Sequence, residues 1–361
     1  MFISTLSHAP TLCSLFGPSL SLFPSPSPSS SKLTYRLSMA SYVRIAVVGD
    51  VHDDWNLQED TEALRFLQPD LVLFTGDFGN ENVDLVRSIA DLKFAKAVIL
   101  GNHDAWSTQQ FAERKKDRVQ LQLECLGEEH VGYRRLDFPS LKLSIVGGRP
   151  FSCGGEQLFR KRLLDARYGV QDMNGSAKRI YEAAVGAPED HSVIFLAHNG
   201  PTGLGSSIDD ICGKDWVSGG GDHGDPDLTH AISQLKGTTK CSIPLVVFGH
   251  MHKELAFGNG LRKMIVIGAD KTIYLNGAIV PRVRRLSDEH GTNCKSCTNN
   301  EGPVFTPKAE GTVRAFTLVE IVDGKLAKIA ETWVSVFGDK TKSEEEHILF
   351  SRGSRGSKLC V

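Results

Sequence analysis

Seven short apolar runs constrain this chain more than any other feature. They are Val43–Val48, Leu71–Phe74, Ala97–Leu100, Leu143–Val146, Val193–Ala197, Leu245–Phe248 and Met264–Ile267. Each has four to six residues, is rich in Val, Ile or Leu, and most are bounded by Gly or polar residues. Runs of this kind are strands buried on both faces rather than helices. Between the first pairs, Glu59–Leu67 and Val83–Leu92 carry apolar residues three and four apart, which is helical spacing. The alternation of strand and helix predicts an α/β fold around a buried sheet. Further on, Ala315–Val322 and Leu326–Val336 flank Asp323-Gly324, a hairpin signal that adds antiparallel strands. The chain beyond Gly338 is charged and then Ser/Gly-rich, and is expected to fray. One domain over 41–338 with a flexible tail over 339–361 is therefore predicted.

The ends of the runs carry the chemistry. Val43–Val48 leads into Gly49-Asp50-Val51-His52, and Leu71–Phe74 into Thr75-Gly76-Asp77. Ala97–Leu100 leads into Gly101-Asn102-His103-Asp104, Val193–Ala197 into His198, and Leu245–Phe248 into Gly249-His250-Met251-His252. Open α/β sheets place their sites at the C-terminal ends of their strands. Asp50, His52, Asp77, Asn102, His198, His250 and His252 offer carboxylate oxygen, amide oxygen and imidazole nitrogen, with no thiolate. Such a set suits Zn, Mn or Fe and is too nitrogen-rich to prefer Ca or Mg. Seven ligands exceed the needs of one ion, whereas two ions about 3.5–4 Å apart with a shared carboxylate would use them all. Any one of these motifs is common by chance; all five in order on strand ends are not.

Asp-x-His, Gly-Asp, Gly-Asn-His-Asp, a lone His and Gly-His-x-His follow the order found in calcineurin-like metallophosphoesterases, which this sequence resembles from Asp50 to His252. The resemblance implies a four-layer α/β/β/α sandwich. It implies that Asp50, His52 and His252 hold one metal, that Asn102, His198 and His250 hold a second, and that Asp77 bridges them. It further implies a hydrolase in which a hydroxide between the metals attacks the phosphorus in line. His103 would be the general acid at the leaving group, and Asp104 would orient it or stabilise its charge.

Departures from the family pattern narrow the substrate. The protein Ser/Thr phosphatases continue Gly-Asp into Asp-Arg-Gly, but Phe78-Gly79-Asn80 follows Asp77 here. Gly-His-x-His is more typical of the bacterial-type phosphodiesterase branch. A small phosphorylated substrate is thus expected: a monoester, a diester or a nucleotide pyrophosphate. A non-catalytic scaffold on the same fold is the alternative from another class, and its mark would be lost ligands. A metal-dependent nuclease is a third reading, but a net charge of −2 gives no basic field for nucleic acid.

Two segments read as insertions. Gly203–Gly237 starts just after His198. It is either a substrate-selecting lid, with Trp216 stacking a base or sugar and Lys214 meeting a phosphate, or a solvated loop in which Asp225-Pro226 starts a helix. Arg282–Gly311 is polar and holds Cys294 and Cys297, which form half a zinc site, a dithiol switch or simply two thiols in a loop. His130 and His223 lack ligand spacing. No apolar run is long enough to span a bilayer, so no membrane partner is expected. Residues 1–40 are rich in Ser and Pro and contain no Asp or Glu, the composition of a plastid transit peptide. Translation from Met39 would instead give a cytoplasmic protein.

Overall fold

The computed structural model describes residues 41–112, 114–286 and 311–353. The expected leader over 1–40 and the Cys294/Cys297 pair lie outside the described residues. The first sheet starts with β1 (Tyr42–Val48), β2 (Leu71–Phe74) and β3 (Lys96–Val98). The second is built from β4 (Arg135–Phe138), β5 (Leu143–Gly147), β6 (Ser192–Leu196), β7 (Ser242–Phe248), β8 (Ile265–Ile267) and β9 (Ile273–Asn276). The chain then returns to the first sheet with β10 (Val283–Arg285), β11 (Thr312–Val322), β12 (Lys325–Phe337) and β13 (Lys340–Ser351). Among the described residues, the first sheet runs β13-β12-β11-β1-β2-β3, with β10 on β11, and the second runs β4-β5-β6-β7-β9-β8. β1, β2 and β3 are parallel, as are β5, β6, β7 and β9.

Strand periodicity divides the apolar side chains between two cores. Ile45, Val47, Leu71 and Leu73 of the first sheet meet Ile145, Ile194, Leu245 and Val247 of the second between the sheets. Val48, Phe74, Val146 and Phe195 point the other way and join the helices. The helices are α1 (Leu57–Leu67), α2 (Val83–Ala90), α3 (Arg118–Leu126), α4 (Lys161–Tyr168), α5 (Met173–Ala184) and α6 (Pro226–Thr238). α1 packs on β11 and β12, while α5 packs on β5 with α6 beside it. Helix, sheet, sheet, helix is the expected four-layer sandwich. Each fully buried Val, Leu or Ile contributes roughly 1.5–3 kcal/mol to it. The start of α1 is fixed locally: Asn56 Oδ1 accepts from the Glu59 amide at 3.1 Å, and Asp60 accepts from the Asn56 amide at 2.9 Å. Asp60 also ties the helix to the first sheet, through Arg282 at 2.7 Å and Arg314 at 2.6 Å.

Three expectations need correction. The tail beyond Gly338 does not fray at once: Lys340–Ser351 pairs with β12 along its length. Its charges gave no core-facing pattern because β13 is an edge strand, where exposed charge guards against further pairing. The 203–237 insertion ends at Asp225, because Asp225-Pro226 starts the outer-layer helix Pro226–Thr238, as in the second reading of the segment. The run Met264–Ile267 is not buried on both faces; β8 is the edge of the second sheet and is partly exposed. The Asp323-Gly324 turn is as expected, with φ of 49° and 70°.

Candidate metal centre

Five strand ends meet at one place. Asp50 and His52 follow β1, Asp77 follows β2, and Asn102 and His103 lie just past β3. From the second sheet, His198 follows β6, and His250 and His252 follow β7. The turns that present them are tight. His52, Asp77 and His250 have φ of 44°, 50° and 66°, a left-handed conformation that side chains disfavour. Hydrogen bonds hold them there. The His52 amide donates to the Asp77 carbonyl at 2.8 Å. The His250 amide donates to both oxygens of Asp50, at 3.1 and 2.9 Å. The His103 amide donates to Asp77 Oδ1 at 2.8 Å. Two glycines make this crowding feasible. A Cβ on Gly101 would stand 2.3 Å from Asp77 Oδ1 and 2.5 Å from His198 Cε1, and one on Gly249 would stand 2.2 Å from Asp50 Oδ1.

Donor atoms converge in three overlapping groups, each within 4.8 Å: Asp50, His52 and His252; His52, Asp77 and His103; and Asp77, His198 and His250. The Nε2 atoms of His52 and His252 are 2.9 Å apart. Nε2 of His252 lies 3.5 Å from Asp50, and Nε2 of His198 lies 3.4 Å from Asp77. Asn102 joins the third group, its Oδ1 2.9 Å from His198 Nε2. The other nitrogen of His198 donates to the Thr75 carbonyl at 2.7 Å, which fixes the ring and turns Nε2 toward Asp77 and Asn102.

Electrostatics agree with a cation site. Burial alone would raise the pKa of Asp50, but His252, His198 and His52 hold its carboxyl well below the usual range. Burial would likewise lower His198, yet the carboxylates of Asp77 and Asp50 push it up to about 10. His250, buried and beside His198, is pushed down to about 3. Two buried carboxylates therefore draw a positive charge into the cluster, and a metal ion would displace the proton that His198 holds. Oxygen and imidazole nitrogen, without sulfur, are the donors transition ions take.

His103 stands at the edge of this cluster, its ring 5.1 Å from that of His52. Its Nδ1 is 2.7 Å from Asn80 Oδ1, so that nitrogen carries the hydrogen and Nε2 is left for other partners. Trp106 stacks flat on the ring, with centroids 4.7 Å apart and planes within 8°. The role expected for Asp104 is not what the structure shows. Asp104 is buried and accepts from the amides of Asp77, Phe78 and Gly101, at 2.9, 3.0 and 2.8 Å. It joins the turns after β2 and β3, while Asn80 and Trp106 position His103.

The calcineurin-like phosphoesterase family model matches residues 43–254. The chain belongs to that family. Among solved structures, it is similar to a dimetal phosphatase from Danio rerio, at 9% identity and a TM-score of 0.37, over 86% of this chain and 99% of that one. It is also similar to a conserved protein from Streptococcus pneumoniae described as a predicted phosphoesterase, at 12% identity and a TM-score of 0.30, over 86% of this chain and 99% of that one. No curated protein sequence matches it. Membership of the phosphoesterase family rests on the sequence match rather than on these two likenesses.

The cavity over the phosphoesterase motifs has a volume of about 440 Å³ and is lined by Asp77, His250 and His252 together with Trp106, Trp216 and His223. His223 had no ligand spacing, yet its ring lies 6.0 Å from that of His250. A long loop brings it there, which sequence distance does not reveal. Trp106 was more accessible to reasoning: it follows His103 by three residues, one helical turn, where rings can stack. Lys214 is not among the cavity walls.

Proposed function

We propose that this phosphoesterase is a two-metal hydrolase of small or medium-sized phosphate esters. The convergence of seven oxygen and nitrogen ligands with His103 at the ends of five strands carries the reading. Asp50, His52 and His252 would hold one ion, and Asn102, His198 and His250 the other. Asp77 stands between the groups and would be shared, being near both His52 and His198. Mn, Fe or Zn bound there would supply Lewis-acid charge to the phosphate oxygens and lower the pKa of the attacking water.

The chain's own residues do the rest. Asp50 and Asp77 supply the negative charge that retains the cations. Thr75 holds His198 through its carbonyl, and Asp104 holds the Asp77 turn through two amides. His103, protonated, donates from Nε2 to the leaving-group oxygen, while Asn80 keeps Nδ1 occupied and Trp106 keeps the ring upright. No ligand is replaced, which favours an enzyme over a scaffold.

The test is to strip metal from the protein and restore Mn, Fe, Zn or Mg separately. Each form is assayed with p-nitrophenyl phosphate and bis-p-nitrophenyl phosphate, with Asp77→Asn as control. Hydrolysis that returns with Mn, Fe or Zn and is absent from the variant is the expected result. Metal binding without turnover of either ester would point to a narrower substrate, and no metal binding would point to the scaffold.

A further inference from the structure

Two tryptophans stand half exposed at the cavity, Trp106 at 48% and Trp216 at 49%. Both line the space above Asp77 and His250. An exposed indole leaves a large apolar surface in water, and aromatic walls on a catalytic cavity are a common way to orient a ligand. The two are not equivalent. One face of Trp106 is covered by His103, and Phe159 is tilted against it at 6.3 Å. Among the described residues, Trp216 meets one ring, that of His223, at 4.8 Å and with planes at 86°. No hydrogen bond joins that pair, because Nδ1 of His223 has no partner and its Nε2 donates to the Cys153 carbonyl.

The backbone under Trp216 is nevertheless firmly anchored. Asp215 accepts from the Ala256 amide at 2.8 Å and pairs with Arg262 at 3.0 Å. Arg262 is buried and also donates to the carbonyls of Gly213 and Asp210 at 2.7 Å each, and of His252 at 3.0 Å. One arginine thus locks the loop that carries Trp216 to the loop that carries His252. An indole fixed from below, open above and set beside a phosphate-binding cluster is a pre-organised stacking surface. Aliphatic phosphates have nothing to lay on it.

We infer that Trp216 is a stacking platform for a planar aromatic group attached to the phosphate, so that the substrates of this site are nucleotide-type or aryl phosphoesters. The inference rests on the phosphate-binding reading above and names the substrate class for it. Stacking of a base on an aromatic side chain is expected to tighten binding roughly tenfold or more.

Isothermal titration of the metal-loaded full chain tests this without turnover. The probes are the non-hydrolysable phosphonate analogues of adenosine 5′-monophosphate, phenyl phosphate and ribose 5-phosphate, and the variants are Trp216→Leu and Trp216→Phe. The expected result is that the adenosine analogue binds at least roughly tenfold tighter than the ribose analogue. That ratio collapses in Trp216→Leu and largely returns in Trp216→Phe. The phenyl analogue binding as tightly as the nucleotide analogue identifies a general aryl platform; weaker binding identifies a base-reading one. Equal affinities for the nucleotide and the sugar phosphate, or a ratio unchanged in Trp216→Leu, overturn the platform. If no ester is hydrolysed, the proposed activity fails, but the affinity ratio still decides the platform by itself.

Discussion

The strands that deliver the site and the strands that close the first sheet follow opposite rules. β1, β2, β3, β6 and β7 have 7, 4, 3, 5 and 7 residues and break into turns packed with candidate metal ligands. β11, β12 and β13 have 11, 13 and 12 residues and simply fold back on one another. In the first region, side chains adopt positive φ, buried carboxylates meet imidazoles, and glycines press against ligand atoms. In the second, positive φ falls at hairpin turns such as Asp323-Gly324, and the ladder is regular apart from bulges. At His52, Asp77 and His250 the strain of positive φ sits within the candidate site and is held there by the rest of the sandwich. Substitutions in the two regions should therefore separate activity from stability.

The largest effect is expected at His103. His103→Asn should lower kcat by roughly 10²–10⁴-fold, with bound metal unchanged by elemental analysis. Retained activity would remove His103 from the proton transfer. Next comes Gly101→Ala, whose new methyl would collide with Asp77 and His198. A loss of kcat/KM approaching a hundredfold, roughly the upper end for disturbed outer-shell contacts of metal sites, is expected, with a normal circular dichroism spectrum. Wild-type kinetics would mean that the turns are far more plastic than their packing shows. Asn80→Ala should cost about tenfold in kcat through misorientation of His103, and nothing further in a His103→Asn background; an unchanged kcat, or the same loss without His103, would reduce Asn80 to a structural contact. The smallest effect belongs to the arm. Gly324→Ala meets no atom within 4 Å but must keep φ near 70°. It should cost about 1 kcal/mol of stability in denaturant titration, with kcat intact. Lost activity there would show that the two regions are coupled.

The same contrast explains what the sequence revealed. The site was legible because metal chemistry admits few residue types and α/β sheets put them at predictable strand ends; all seven ligand candidates and His103 converge. The apolar runs were legible because strands buried on both faces have no polar alternation. Asp104 was misread because adjacency to His103 suggested contact, whereas its carboxylate turns inward to three amides. Asn80, His223 and Trp216 were harder to rank, since their places depend on how loops close over the strand ends. β13 was missed because an edge strand needs only a partner's backbone, and Lys342, Glu344, Glu345 and Glu346 show no apolar rhythm.

Metal stoichiometry is the most direct test of the central claim. Protein reconstituted with Mn and freed of excess ion should hold about two ions per chain, and Asp77→Asn, without the shared carboxylate, clearly fewer. One ion per chain in the wild type, or two retained by Asp77→Asn, would contradict a centre built around Asp77.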